Sequence, residues 1–304
     1  MELLKMLESI RTPFWDKVFS VVTYLGDQLV FMVVVMLVLW CINKKWGYRL
    51  FFIGMVGSAI NQFLKAIFLI PRPWVLDKNL TIVESAREAA TGYSFPSGHT
   101  QGAASVFGGI AIWLKRWWVS AMCILLVLLT AFSRMYLGVH TPADVLVSLL
   151  TGVLTVIAIA FVFKKYGDNS RICLYGVGIT LAVLMYVLLA PKTAANVAEF
   201  DADGVKNAYV LMGTMVGLYI AWLVDERWLR YDTKAVWWAQ TLKFVIGLAL
   251  IVTAKTLLKA PLNALFAGSS IADGVRYMLI TLIGGALWPL TFRFWGRLGV
   301  KAKS

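Results

Sequence analysis

KAIFLIPRP (residues 65–73), PSGH (96–99) and SRMYLGVHTPAD (133–144) are three polar interruptions in an otherwise apolar stretch. They contain Lys65, Arg72, His99, Arg134, His140 and Asp144, and with them both of the chain's two histidines. A chain that is 60% hydrophobic and 15% charged has little reason to put so many ionisable groups at the ends of apolar segments unless they meet. Three of the six are permanent or near-permanent cations, so the ligand such a meeting point suits is an anion, and a phosphate above all.

The flanking sequence says where that meeting point lies. A mean hydropathy of +0.76 over 304 residues excludes an ordinary soluble domain and places the chain in the membrane class. A bilayer-spanning helix needs about 20 largely apolar residues. Nine segments qualify: 24–43, 47–68, 99–115, 117–137, 141–163, 172–190, 204–224, 237–258 and 275–295. In lipid every backbone group must be satisfied within its own segment, so these are helices, and the fold is an all-α polytopic membrane protein.

Charge orients the spans. Lys44, Lys45 and Arg49, then Lys115 and Arg116, Lys164, Lys165 and Arg171, Arg227, Arg230 and Lys234, and Arg293, Arg297, Lys301 and Lys303 occupy alternate connectors. The other connectors are less basic and carry Glu84, Glu88, Glu199, Asp201, Asp203 and Asp273, with Lys192 among them. By the positive-inside rule the first set is cytoplasmic, as is the C-terminus, and the three polar clusters open outside. A net charge of +13 is thereby explained without nucleic acid as a partner. Residues 1–17 mix Leu and Met with Glu2, Lys5, Glu8, Arg11 and Asp16, which reads as an amphipathic interfacial helix rather than a secretory signal. Cys41, Cys123 and Cys173 have no histidine at ligand spacing and read as small apolar residues, with neither a disulfide nor a metal site.

Phosphoryl transfer requires converging donors and positive charge. Lys65 and Arg72 lie about two helical turns apart, so both can point into one site. Arg134 adds a second guanidinium fork. Ser97 offers a hydroxyl, and Gly98 an unshielded amide at the start of a helix, whose N-terminus favours anions. With no cysteine or metal cluster at hand, a histidine is the nucleophile. His140 is the better candidate, because Asp144 four residues on can bind one ring nitrogen and leave the other free. His99 then protonates the leaving oxygen. Each piece also has a plain structural reading: Lys65 and Arg72 as snorkelling residues, Thr141-Pro142-Ala143-Asp144 as a helix start, Pro96-Ser97-Gly98 as a turn. Their joint order and spacing is what those readings leave unexplained.

The three-part pattern resembles the signature of the type 2 phosphatidic acid phosphatase (PAP2) superfamily, over roughly residues 10–165. The resemblance implies a helical-bundle core with a non-cytoplasmic site, no metal or other cofactor, and a transition state that vanadate mimics. It implies His140 as nucleophile, Asp144 as its partner and His99 as acid, with Lys65, Arg72, Ser97, Gly98 and Arg134 holding phosphate. The chain then divides into a phosphatase core, 1–165, and a C-terminal transmembrane extension, 166–304. A lipid-tail groove, a homodimer contact or a second activity are roles open to the extension. Lys243 and Lys255 within it read as snorkelling lysines.

The expected function is hydrolysis of a lipid phosphate or pyrophosphate, with polyprenyl pyrophosphate, phosphatidic acid and phosphatidylglycerophosphate as leading substrates. A lipid phosphotransferase, a sugar-phosphate phosphatase and a non-catalytic lipid transporter are the alternatives.

Overall fold

The structure, a computed structural model, describes residues 1–168, 170–189 and 198–298. Residue 190, which ends the 172–190 segment, Lys192, Lys301 and Lys303 fall outside the described residues, as do the side chains of Arg171, Glu199 and Asp201. The described regular structure is entirely helical: α1 (Glu2–Ser9), α2 (Pro13–Val22), α3 (Gln28–Leu37), α4 (Lys44–Phe68), α5 (Pro73–Leu76), α6 (Gly98–Leu114), α7 (Trp117–Tyr136), α8 (Pro142–Tyr166), α9 (Ser170–Leu189), α10 (Ala198–Val224), α11 (Trp237–Leu257), α12 (Lys259–Leu265), α13 (Ser270–Leu282) and α14 (Phe292–Arg297).

Each of the nine apolar segments is helical, but they are not equal as spans. Among the described residues six helices are long and apolar enough to cross a membrane, or seven if the bent pair meeting at Asp27 is one span. The segments at 99–115 and 172–190 fall short of that standard: α6 has 17 residues, and the apolar part of α9 is Cys173–Leu189. The expected nine spans are therefore not confirmed as a count, while the all-α multi-pass class holds.

The chain forms two compact units. The first comprises Met1–Phe31, Ile53–Gly167 and Met185–Val205, and the second Met32–Phe52, Asp168–Leu184 and Lys206–Ser304.

In the first unit α6 packs against α7 and α8, and the 3₁₀ turn Thr23–Gly26 packs against α6 and α7. Without a hydrophobic drive between helices in lipid, close approach depends on small residues. Here they are Gly26, Gly102 and Gly152. A Cβ on Gly26 would lie 2.2 Å from the carbonyl oxygen of His99, one on Gly102 2.9 Å from that of Gly26, and one on Gly152 2.6 Å from Ala104 Cβ. The same seam is polar. Thr151 Oγ1 donates to Gln101 Oε1 (2.7 Å) and Ser148 Oγ to the Ser97 carbonyl (2.9 Å).

The long connector 69–97 starts where Leu69 (φ +50°) ends α4. It is folded back and tied down: Ser94 N donates to Ile70 O (2.9 Å) and Val83 N to Leu137 O (3.1 Å). Ala86, Ala90, Tyr136, Leu137 and Val139 form an apolar cluster beneath it, with Phe19, Trp74 and Val83 packed alongside. Within the connector, Glu84–Ala86 form a single 3₁₀ turn. The amphipathic N-terminus is two helices, because Thr12 caps α2 and Pro13 begins it. Leu4 and Leu7 of α1 are buried while Leu3, Met6 and Ile10 are exposed. Polar contacts dock α1 on the connector, Lys5 to Asp77 (2.7 Å) and Arg11 Nη1 to Thr81 O (2.8 Å).

The second unit is fastened by charge and by glycine. Lys44 pairs with Asp225 (3.0 Å) and Arg49 with Asp168 (2.8 Å). Gly213 of α10 lies against Gly274 of α13 so closely that a Cβ would be 1.8 Å from the Gly274 carbonyl oxygen. Lys243 does not snorkel: it is 1% exposed, donates to Thr233 O (3.0 Å) and sits 4.5 Å over the Phe292 ring. Protein rather than lipid headgroup holds that charge, whereas Lys255 is exposed. The cysteines are free; Cys123 is buried and the other two half-buried.

Candidate active site

All eight candidate residues belong to the first unit. His140 lies in the tight connector between α7 and α8, with its own amide and that of Val139 both donating to Arg134 O. It is 1% exposed, as is Asp144 in the first turn of α8. Asp144 Oδ2 lies 3.3 Å from His140 Nδ1 and also accepts from Thr141 N (2.8 Å) and from Ser94 Oγ (2.5 Å). Asp144 thus starts the helix and faces the His140 ring at once. Thr141 Oγ1 returns the cap by accepting from Asp144 N.

The other face of the ring fixes its proton. Arg72 Nη1 lies 2.9 Å from His140 Nε2. A guanidinium carries only donors, so Nε2 accepts and the neutral ring holds its hydrogen on Nδ1, towards Asp144. Burial, and after it the positive charges of Arg72, Arg134 and Lys65, pushes the His140 imidazole well below its ordinary value. A neutral ring with its lone pair on Nε2 is the state a nitrogen nucleophile requires.

Around that lone pair the cations are arranged unequally. Arg72, 2% exposed, also donates to Thr91 O (2.5 Å), Gly92 O (3.0 Å) and Val139 O (3.1 Å). Lys65 Nζ donates to Tyr93 O. Arg134 is different. It is fully buried, its Nη1 donates to Thr23 Oγ1 (2.7 Å), and its Nε and Nη2 have no acceptor among the described residues. Unpaired buried guanidinium donors are costly, and an anion is the partner that relieves them.

Ser97 caps α6. Its Oγ accepts from Thr100 N (3.4 Å) and Thr100 Oγ1 (3.0 Å), which leaves its own hydrogen for a ligand. Gly98 opens the helix, and a Cβ there would meet only Asn61 Oδ1, at 3.8 Å. His99, the next residue, is largely buried and close enough to His140 for their charges to act on one another.

Four contributors were not legible in the motifs. Ser94 supports Asp144, Thr23 holds Arg134, Asp27 lies beside His99 (3.9 Å between Oδ2 and Nε2), and Asn61 Nδ2 donates to Pro96 O (3.4 Å). Ser94 stands two residues before the PSGH cluster and could have been suspected. Thr23 and Asp27 lie more than a hundred residues from Arg134 in sequence, and nothing local points to them.

Two family models match the chain: the PAP2 superfamily over residues 46–168, and the PAP2 superfamily phosphatase transmembrane extension over residues 209–301. The chain is 34% identical over 118 residues to the undecaprenyl-diphosphatase BcrC of Bacillus subtilis, covering 39% of this chain and 56% of that protein. It is 25% identical over 201 residues to a probable sphingosine-1-phosphate phosphatase of Dictyostelium discoideum, covering 60% of this chain and 48% of that one. The alignments thus span about half the length of these two relatives. The crystal structure of Aquifex aeolicus LpxE aligns over 52% of this chain and 93% of its own, with 26% identity and a TM-score of 0.46. The two family models between them account for most of the chain, and the three-part motif lies complete within the first: the chain belongs to the PAP2 superfamily.

Proposed function

We propose that the protein is an integral membrane phosphatase that hydrolyses a lipid phosphate or a lipid pyrophosphate at the extracytoplasmic face, releasing inorganic phosphate. One observation carries the reading. His140 Nε2 meets a donor of Arg72 within the field of Lys65, Arg72 and Arg134, and Arg134 keeps two buried donors without an acceptor among the described residues. In the proposed reaction His140 Nε2 attacks phosphorus and the bond to the leaving oxygen breaks. His99 gives that oxygen its proton. Water then attacks the phosphohistidine, His99 takes the water's proton, and inorganic phosphate leaves. Lys65, Arg72, Arg134, the Ser97 hydroxyl and the Gly98 amide bind the phosphoryl oxygens. Asp144 keeps the His140 ring oriented throughout.

The relatives' names support a lipid substrate: one names an isoprenoid diphosphate, the other a long-chain base phosphate. A site at the ends of membrane helices suits an amphiphile whose tail stays in the bilayer. Polyprenyl pyrophosphate, phosphatidic acid and phosphatidylglycerophosphate are the first substrates to try. We keep the division at 165/166 as a functional one, with the chemistry before it and the transmembrane extension after it. The outward-facing site and cytoplasmic C-terminus rest on the distribution of Lys and Arg.

The test is phosphate release by the purified protein in detergent, without metal, from a panel of lipid and sugar phosphates, with and without vanadate. Release from lipid phosphates that vanadate blocks and His140→Ala abolishes is the expected result. Headgroup binding without release would assign a carrier instead. Label passing to an added acceptor lipid would assign a phosphotransferase, and preference for sugar phosphates would move the substrate class.

A further inference from the structure

Asp27 is absent from the three motif clusters and precedes the region matched by the core family model, yet it stands at the site. It occupies the break between the turn Thr23–Gly26 and α3. Its two oxygens have separate surroundings. Oδ1 accepts from Leu29 N (2.7 Å) and so caps α3. Oδ2 lies 3.9 Å from His99 Nε2.

We propose that Asp27 is a positioning residue for His99, holding its imidazolium in the orientation that protonates the leaving oxygen. The inference rests on the acid role given to His99 above.

Three observations support it. The charged groups that act on His99 are Arg134, His140, Arg72 and Lys65, none of them a carboxylate, so a protonated ring needs one beside it, and Asp27 stands at 3.9 Å. Asp144 is already committed to His140, Ser94 and Thr141. The separation is also held by packing. Gly26, next to Asp27, touches the His99 carbonyl with no room for a Cβ, and Thr23, four residues before Asp27, accepts from Arg134. The turn and its aspartate form a wall of the site that cannot drift from α6. With Nε2 turned to Asp27, Nδ1 is the nitrogen left for the leaving oxygen. A ring that keeps a proton on each nitrogen is cationic, and a carboxylate at Nε2 favours that form. The site then contains two imidazole–carboxylate pairs, one for the nucleophile and one for the acid.

The experiment compares two esters in purified full-length protein: dioleoyl phosphatidic acid, whose alkoxide leaves poorly, and p-nitrophenyl phosphate, whose phenolate needs no proton. Asp27→Asn keeps an acceptor for the helix cap, so α3 still starts in place. Its kcat on phosphatidic acid is expected to fall roughly ten- to a hundred-fold, and on the aryl ester less than about threefold. Asp27→Glu should recover part of the loss, and His99→Ala should show the same split more strongly. An equal loss on both esters, or none on either, overturns the role of Asp27 and leaves the phosphatase standing. Wild-type protein that hydrolyses neither ester, or a His99→Ala variant without the split, removes the acid role and this inference with it.

Discussion

Asp144 shows how much one side chain is asked to do. It caps α8, takes a hydrogen bond from Ser94 and faces His140. Asp144→Asn preserves a cap acceptor but loses the charge that favours the Nδ1–H tautomer. Turnover should drop by about 10²–10⁴, as with other carboxylates that orient a catalytic histidine, while vanadate inhibition changes only a few-fold. Single-turnover kinetics and vanadate titration separate the two, and wild-type turnover in this variant would sink the assignment. The depressed titration of His140 carries a sign. The ring is inactive only when protonated, so a lowered value moves its acid-side loss to lower pH. After allowance for the substrate's own ionisation, kcat/KM should hold level through pH 6.5, the ordinary imidazole value, and fall only below it. A decline that begins near neutrality contradicts the neutral, buried ring. Arg134→Lys keeps a charge but removes the fork whose Nε and Nη2 await an acceptor. A loss of about 10²–10³ in kcat is expected, the scale seen when one oriented donor to a developing charge is deleted.

At the scale of elements, placement depends on where a side chain is forbidden. A Cβ on Gly26 would strike backbone, 2.2 Å from the His99 carbonyl oxygen, whereas one on Gly108 would meet the Val156 side chain at 3.3 Å. Backbone cannot step aside, and a valine methyl can. Gly26→Ala is therefore expected to cost at least the 1–3 kcal/mol of ordinary overpacking, while Gly108→Ala stays within about 1 kcal/mol. Thermal midpoints in detergent check the difference, and phosphate release should follow the first variant down. Apolar length alone marked α4, α7, α8 and α11 within a few residues, and the end of α10. It also marked α6 to within one residue, but it did not show that α3 runs into a π-helical turn at Val38–Ile42, or that the last segment is divided among α13, a π turn, a 3₁₀ turn and α14. Hydropathy reports solvent preference and is blind to the turn-by-turn pattern of hydrogen bonds.

For the whole molecule, the orientation in the bilayer is the prediction that matters, since it decides which leaflet supplies the substrate. Lys78, in the connector above the site, and Arg297, in the last helix, are both exposed. With Cys41, Cys123 and Cys173 replaced, a membrane-impermeant maleimide added to intact cells should label Lys78→Cys and spare Arg297→Cys. The reverse pattern would turn the site towards the cytoplasm. The chain also does not fold as two consecutive halves, because residues 32–52 join the second unit although the core motif follows them.

The sequence by itself determined the membrane class, the helices and the identity of the charged set, because an apolar chain discloses its exceptions and their spacing is local. Only the tertiary structure decided which nitrogen of His140 faces Arg72 and which Asp144, which arginine has donors to spare, and that Ser94, Thr23 and Asp27 complete the cluster. Those are facts about distances between atoms far apart in the chain. They follow from small residues letting α6, α7 and the Thr23–Gly26 turn come into contact, and no pattern within one segment encodes where another segment's side chain will end.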